Sequence, residues 1–142
     1  MGPESTPADV LREARVIALV GATDDPGRPA HSVMRYLLDQ GYEVVPVRPG
    51  GGPVLGRAAV ARVADIDGPV DVVDVFRRSE TAPGHAREAV AAGARAVWLQ
   101  PGCVSGEARA IATAAGLAFV EDRCTRQVHR DEGVGPVGPG RP

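Results

Sequence analysis

Gly21, Ala22 and Thr23, followed by Arg28 and Pro29, are the residues of this chain best suited to hold an anion. They bracket a polar turn between an apolar run, Val16 to Val20, and a helical pattern that begins near Pro29. Gly21 lets the backbone approach a ligand closely, Thr23 offers a hydroxyl, and Arg28 presents a planar fork that suits a pyrophosphate. Pro29 fits the first turn of a helix, whose unpaired N–H groups and dipole would point at the same place. The loop lacks the G-x-G-x-x-G spacing of the dinucleotide fingerprint. An ordinary strand-to-helix turn with a solvated arginine fits the same residues.

Three later loops carry comparable groups. Arg48 stands where an NAD-binding fold usually places an acid for the ribose hydroxyls. An arginine fits a phosphorylated ribose instead, the 2′-phosphate of NADP or the 3′-phosphate of coenzyme A; the alternative is an exposed arginine before the glycines at 50 to 52. Phe76 could offer an apolar face to an adenine or a pantetheine arm, with Arg77 as an anion contact. The plainer alternative is a core phenylalanine with solvated arginines. Gln100 could donate and accept at the edge of a crevice, whereas Trp98 reads as core. Groups for catalysis are sparse: His31, His85 and His129 are dispersed, and Cys124, although beside Arg123, reads as structural. No Ser/His/Asp arrangement, metal-ligand cluster or carboxylate pair has a known spacing.

These loops need a frame of alternating strands and helices. Residues 8 to 14 suggest a leading helix with Thr6 as cap and Pro7 in its first turn. Strands are expected at Val16–Val20, Glu43–Val47, Val70–Phe76, Ala96–Gln100 and Leu117–Val120. Helices are expected from Pro29 to a stop at Gly41, from a cap at Ser79 to Ala92, and from Glu107 to Ala115, with a short one within 58–63. Pro46 cannot donate to a ladder, so the second strand should lose its regular pairing there. Asp71 should sit at the entrance of its strand and Asp74 near the carboxyl end. The alternation predicts an α/β, Rossmann-like, doubly wound parallel sheet of about five strands with helices on both faces. Its functional face lies at the carboxyl ends of the strands.

Composition narrows the class. With 142 residues the chain fits one domain over residues 1–130, followed by a Gly/Pro-rich, disordered tail at 131–142. Aromatic residues are only 4%, so Val, Ala and Leu must build the core. A net charge of -2 gives no general attraction to nucleic acid. All 16 basic residues are arginine, which fits a GC-rich, bacterial genome and removes any Schiff-base or P-loop lysine. Two cysteines form no disulfide framework, and no apolar stretch approaches membrane-spanning length, so a cytoplasmic protein is expected.

In order and spacing the chain resembles the small CoA-binding proteins, single Rossmann-like domains related to the CoA-binding domain of succinyl-CoA synthetase. The resemblance spans roughly Val16 to Arg126. It rests on Val20-Gly-Ala-Thr23 with Gly27-Arg-Pro29, on Gly41-Tyr42 before Val45-Pro-Val47 and Pro49, on Val70-Asp-Val-Val-Asp-Val-Phe-Arg77, on Val97-Trp-Leu-Gln100, and on Asp122-Arg-Cys124. It implies coenzyme A held across the strand ends. Gly21 to Thr23 and Arg28 would take the phosphates, Val47 to Pro49 the adenosine side, and Val75 to Arg77 with Gln100 the adenine and pantetheine path. The family commonly has Asn where Arg48 stands and Ser where Ala30 stands. Loss of that hydroxyl removes a phosphate contact worth about 1.5–3 kcal/mol if charge-assisted. The function expected is binding of CoA or an acyl-CoA by a non-catalytic carrier, sensor or regulatory module with a small-molecule ligand. The alternatives are an NADP-dependent oxidoreductase or its nucleotide-binding subunit, and a protein-interaction domain that has lost its nucleotide.

Overall fold

The computed structural model describes residues 1–138. Its elements run α1 (Pro7–Glu13), β1 (Val16–Val20), α2 (Pro29–Asp39), β2 (Glu43–Val47), β3 (Val72–Val75), α3 (Ala82–Ala91), β4 (Ala96–Leu99), α4 (Gly106–Ala114), β5 (Ala118–Val120) and α5 (Thr125–Asp131). The strands form one sheet in the order β2-β1-β3-β4-β5, and every neighbouring pair is parallel. Thr6 caps α1 as its type suggests: its hydroxyl accepts from Asp9 N, and the Asp9 carboxylate accepts from Thr6 N.

The period of two along each strand divides the core. Ile17, Leu19, Val72, Ala96 and Trp98 point to one face, where α1, α2 and α5 cover them with Leu11, Met34, Leu37 and Val128. Ala18, Val20, Val73, Val97 and Leu99 point to the other, under the alanines of α3 and α4. The first face is filled by large side chains; small ones let α3 and α4 lie close on the second. Complete burial of a residue such as Leu19 or Met34 contributes roughly 1.5–3 kcal/mol. Trp98 is wholly buried, and its indole N–H finds Arg123 O at 2.7 Å.

Four local expectations are corrected. Pro46 does not interrupt β2, which pairs with β1 through Leu19–Pro46 and Val20–Val47. The strand is an edge, and Pro46 O accepts from Val60 N on the outer side, so its ring nitrogen also faces away from β1. Residues 58–63 form no helix: Val60 bridges Val47, and a 3-10 turn follows at Val63–Asp65. Ser79 begins a 3-10 turn before α3 instead of capping the helix. Its hydroxyl donates to Gly102 O and accepts from Val104 N, tying two strand-end loops together.

The fourth correction concerns the tail. Residues 125–131 form α5, and Val134 and Val137 are buried after it. Val137 N donates to Gln40 O at 2.6 Å, and a Cβ on Gly41 would lie 2.6 Å from Val137 O. Both valines join the core cluster that α1, α2 and α5 help to build, and Val137 lies against Gly41. The rest of the expected tail, 139–142, lies outside the described residues. Among the described residues, no helix is long and apolar enough to cross a membrane.

Candidate functional site

β1 has β2 on one side and β3 on the other, so the chain leaves it in one direction and later returns in the other. Loops diverge at such a switch point and leave a crevice at the carboxyl ends of the strands. Here Gly21 follows β1, and Phe76 and Arg77 follow β3. Gly21 has φ +92, and a Cβ there would lie 2.5 Å from Phe76 O. Only glycine lets the two loops meet so closely.

A cleft of about 950 Å³ opens at this place. Gly21, Ala22, Thr23, Arg28 and Pro29 line it after β1, Arg48 and Pro49 after β2, Val75, Phe76 and Arg77 at the end of β3, and Gln100 after β4. Val47 alone of the expected residues does not reach the cleft. It is buried, and its carbonyl accepts the amides of Gly21 (3.0 Å) and Ala22 (3.3 Å). Those two amides are therefore spent on shaping the turn. The amides of Thr23, Asp24 and Ala30 donate to nothing among the described residues. Arg28, the residue before α2, has no acceptor in its side chain, so the first turn of α2 has no side-chain cap.

Charge gathers here. The lining contains Arg28, Arg48, Arg77, Arg78 and Arg126 against one carboxylate, Asp25. The five arginines differ in freedom. Arg48 donates to Asp24 (2.9 Å), Gly51 O (2.9 Å) and Pro53 O (3.3 Å), so it straps down the glycine loop. Arg28 lies 3.8 Å from Asp25 with both side chains mostly in solvent, a pairing of little strength. Arg77, Arg78 and Arg126 form no ion pair among the described residues.

Beneath the cleft is a buried polar group of three. Asp74 faces the same side of the sheet as Val72, and Gln100 continues the row of Ala96 and Trp98 on β4. Gln100 Nε2 donates to Asp74 Oδ1 (2.6 Å) and to Thr125 Oγ1 (3.0 Å). The Thr125 hydroxyl donates to Asp74 Oδ2 (3.4 Å). Burial raises the Asp74 pKa to about 7, with the bonds from Gln100 and Thr125 opposing it. Gln100 Oε1 is buried without a partner. Both cysteines border the cleft: Cys103 is buried, which raises its thiol pKa against the opposing Ser79 bond, and Cys124 is half-buried.

Sequence reasoning missed Arg78, Arg126 and the Asp74–Thr125 pairing. Arg78 was visible as the second residue of an arginine pair at a strand end. Arg126 and Thr125 depend on α5, where only Val128 and His129 signal an inward face. Among the described residues, no group of three or more His, Cys, Asp or Glu could hold a metal ion.

Known proteins share this architecture. Over 121 residues the chain is 40% identical to the uncharacterized protein YneT of Bacillus subtilis, covering 85% of this chain and 90% of YneT. A hypothetical protein of Pyrococcus horikoshii OT3 superimposes with a TM-score of 0.85 at 38% identity, covering 92% of this chain and 96% of that one. The structure of cell-free ID.343 from Thermus thermophilus gives 0.82 at 42% identity, with 86% and 92% covered. Residues 15–130 match the model of the CoA binding domain, and the chain belongs to that family.

Proposed function

We propose that the cleft binds coenzyme A or an acyl-CoA across the carboxyl ends of β1, β3 and β4, and that the protein holds this ligand without transforming it. The observation that carries the reading is the arginine excess, five against one aspartate, around a 950 Å³ cleft beside the uncapped first turn of α2. Coenzyme A carries a pyrophosphate and a ribose phosphate, and guanidinium groups with free helix amides are their natural partners. Phe76 and Val75 offer apolar surface for an adenine or a pantetheine arm. The family supports the same ligand.

Holding without reacting accords with how the polar groups are used. Asp74, Gln100 and Thr125 bond to one another under the floor, and the Cys103 thiol is buried with a raised pKa. The NADP reading drew on Arg48, whose guanidinium is occupied by Asp24 and two carbonyls. Calorimetric titration of the full chain with CoA, acetyl-CoA and NADPH tests the proposal. CoA should bind at sub-millimolar concentration and raise Tm, since a ligand at 100 Kd adds about 2.7 kcal/mol. Preferential NADPH binding would overturn it. Turnover of an acyl-CoA would defeat the non-catalytic part.

A further inference from the structure

A second hollow, of about 350 Å³, lies between the outer side of α2 and the start of α5, and it shares Arg126 with the main cleft. Three donor-bearing side chains line it without a hydrogen bond or ion pair among the described residues. His31 is only 8% exposed, yet its imidazole makes no hydrogen bond among the described residues. Arg35 and Arg126 pair with no carboxylate among those residues, although Asp39 also borders the hollow. Gln100 Oε1 is the one buried side-chain nitrogen or oxygen without a partner among the described residues, so the His31 nitrogens reach the surface of the hollow, where they and the two unpaired guanidinium groups can meet an acceptor.

The other polar side chains here have spent their protons. The Ser32 hydroxyl donates to Pro29 O at 3.3 Å. His129 Nε2 lies 2.9 Å from Gly135 O and must donate to it, and Nδ1 is paired with the Tyr36 hydroxyl at 2.8 Å. Burial raises the Tyr36 pKa, against the pull of Arg130 and Arg126, so that hydroxyl keeps its proton. What remains to meet a ligand is a donor set of Arg35, Arg126 and His31.

We propose that this hollow is a second oxyanion site, in which Arg35, Arg126 and His31 hold a phosphate or a carboxylate group. Planar guanidinium forks suit either oxyanion. The anion has two sources: a charged group at one end of the main-cleft ligand, reached past Arg126, or a free small oxyanion. The first source rests on the CoA reading above; the second does not.

The His31 side-chain NMR signals of the full chain, followed during titration with inorganic phosphate and separately with CoA, test this. Phosphate should shift them saturably, and Arg35→Gln should weaken that binding by about tenfold or more. Arg35 is exposed and unpaired, so the variant should keep the wild-type amide spectrum. If CoA produces the His31 shift and excludes phosphate, the anion belongs to the nucleotide ligand. If phosphate still binds under saturating CoA, the site is separate. If CoA binds nowhere but phosphate still shifts His31, the CoA reading fails and this one stands. Absence of a saturable His31 shift with either probe, or an unchanged phosphate affinity in Arg35→Gln, overturns it.

Discussion

Asp71 and Asp74 are three residues apart on one segment, and they mark the two ends of the sheet. At the amino end the polar capacity is consumed. Asp71 Oδ2 accepts the amides of Arg15 (2.8 Å) and Val16 (2.9 Å), while its own carbonyl accepts those of Arg95 and Ala96. Arg95 is pinned between Asp71 (3.8 Å) and Glu13 (3.5 Å). At the carboxyl end capacity is left to spare among the described residues: arginines without ion pairs, a helix start without a side-chain cap, and Gln100 Oε1 without a donor. A structural end closes its bonds internally. An end built to receive something leaves donors and acceptors open at a cost in stability. That contrast, more than any single residue, identifies the cleft.

The comparison can be broken by substitutions at each end. The largest effect should come from Gly21→Val, whose branched side chain would collide with Phe76 O in a positive-φ conformation. Denaturant unfolding should register a loss of roughly 4 kcal/mol, with ligand binding lost as well. A stable variant would mean that the two loops need not meet closely.

Asp71→Ala should cost about 3 kcal/mol, because two strand-entry amides lose their acceptor, yet leave CoA affinity unchanged when measured below the melting transition. An affinity change would blur the division between the ends. Asp74→Asn should act through pH. The folded protein keeps this proton up to about pH 7, whereas the unfolded chain releases it near 3.8. The group's contribution to stability is therefore fully present below pH 4 and declines as pH rises through 7. The shift caps that contribution at on the order of 4 kcal/mol, and Asn should flatten the decline and gain roughly 2 kcal/mol at pH 8. Parallel Tm-against-pH curves for wild type and variant would refute a proton held on Asp74. Smallest of all, Arg28→Ala should change Tm little, since the side chain is mostly in solvent, but weaken CoA about tenfold by calorimetry.

Much of this was legible before folding. Strand and helix positions follow from apolar periodicity and from glycine stops such as Gly41, Gly93 and Gly116, because these are local properties of the chain. The strand-end loops were legible for the same reason: every strand in an alternating pattern must deliver its following loop to one side. The failures were long-range. Pro46 looked disruptive until its strand proved to be an edge, and Ser79 looked like a cap until Gly102 and Val104 came within reach of its hydroxyl. Arg48 looked free until Asp24, 24 residues away in sequence, met it at 2.9 Å.

The sequence by itself determined the class of fold, the side of the sheet to which the strand-end loops go and the arginine-rich character of those loops, because each follows from residue type and local period. Only tertiary structure decided which arginines form ion pairs, that Asp74 and Gln100 are locked to Thr125 beneath the cleft, and that Val137 packs against Gly41. Pairing and burial are relations between distant segments, and a side chain's capacity to bind is what remains after those relations are satisfied.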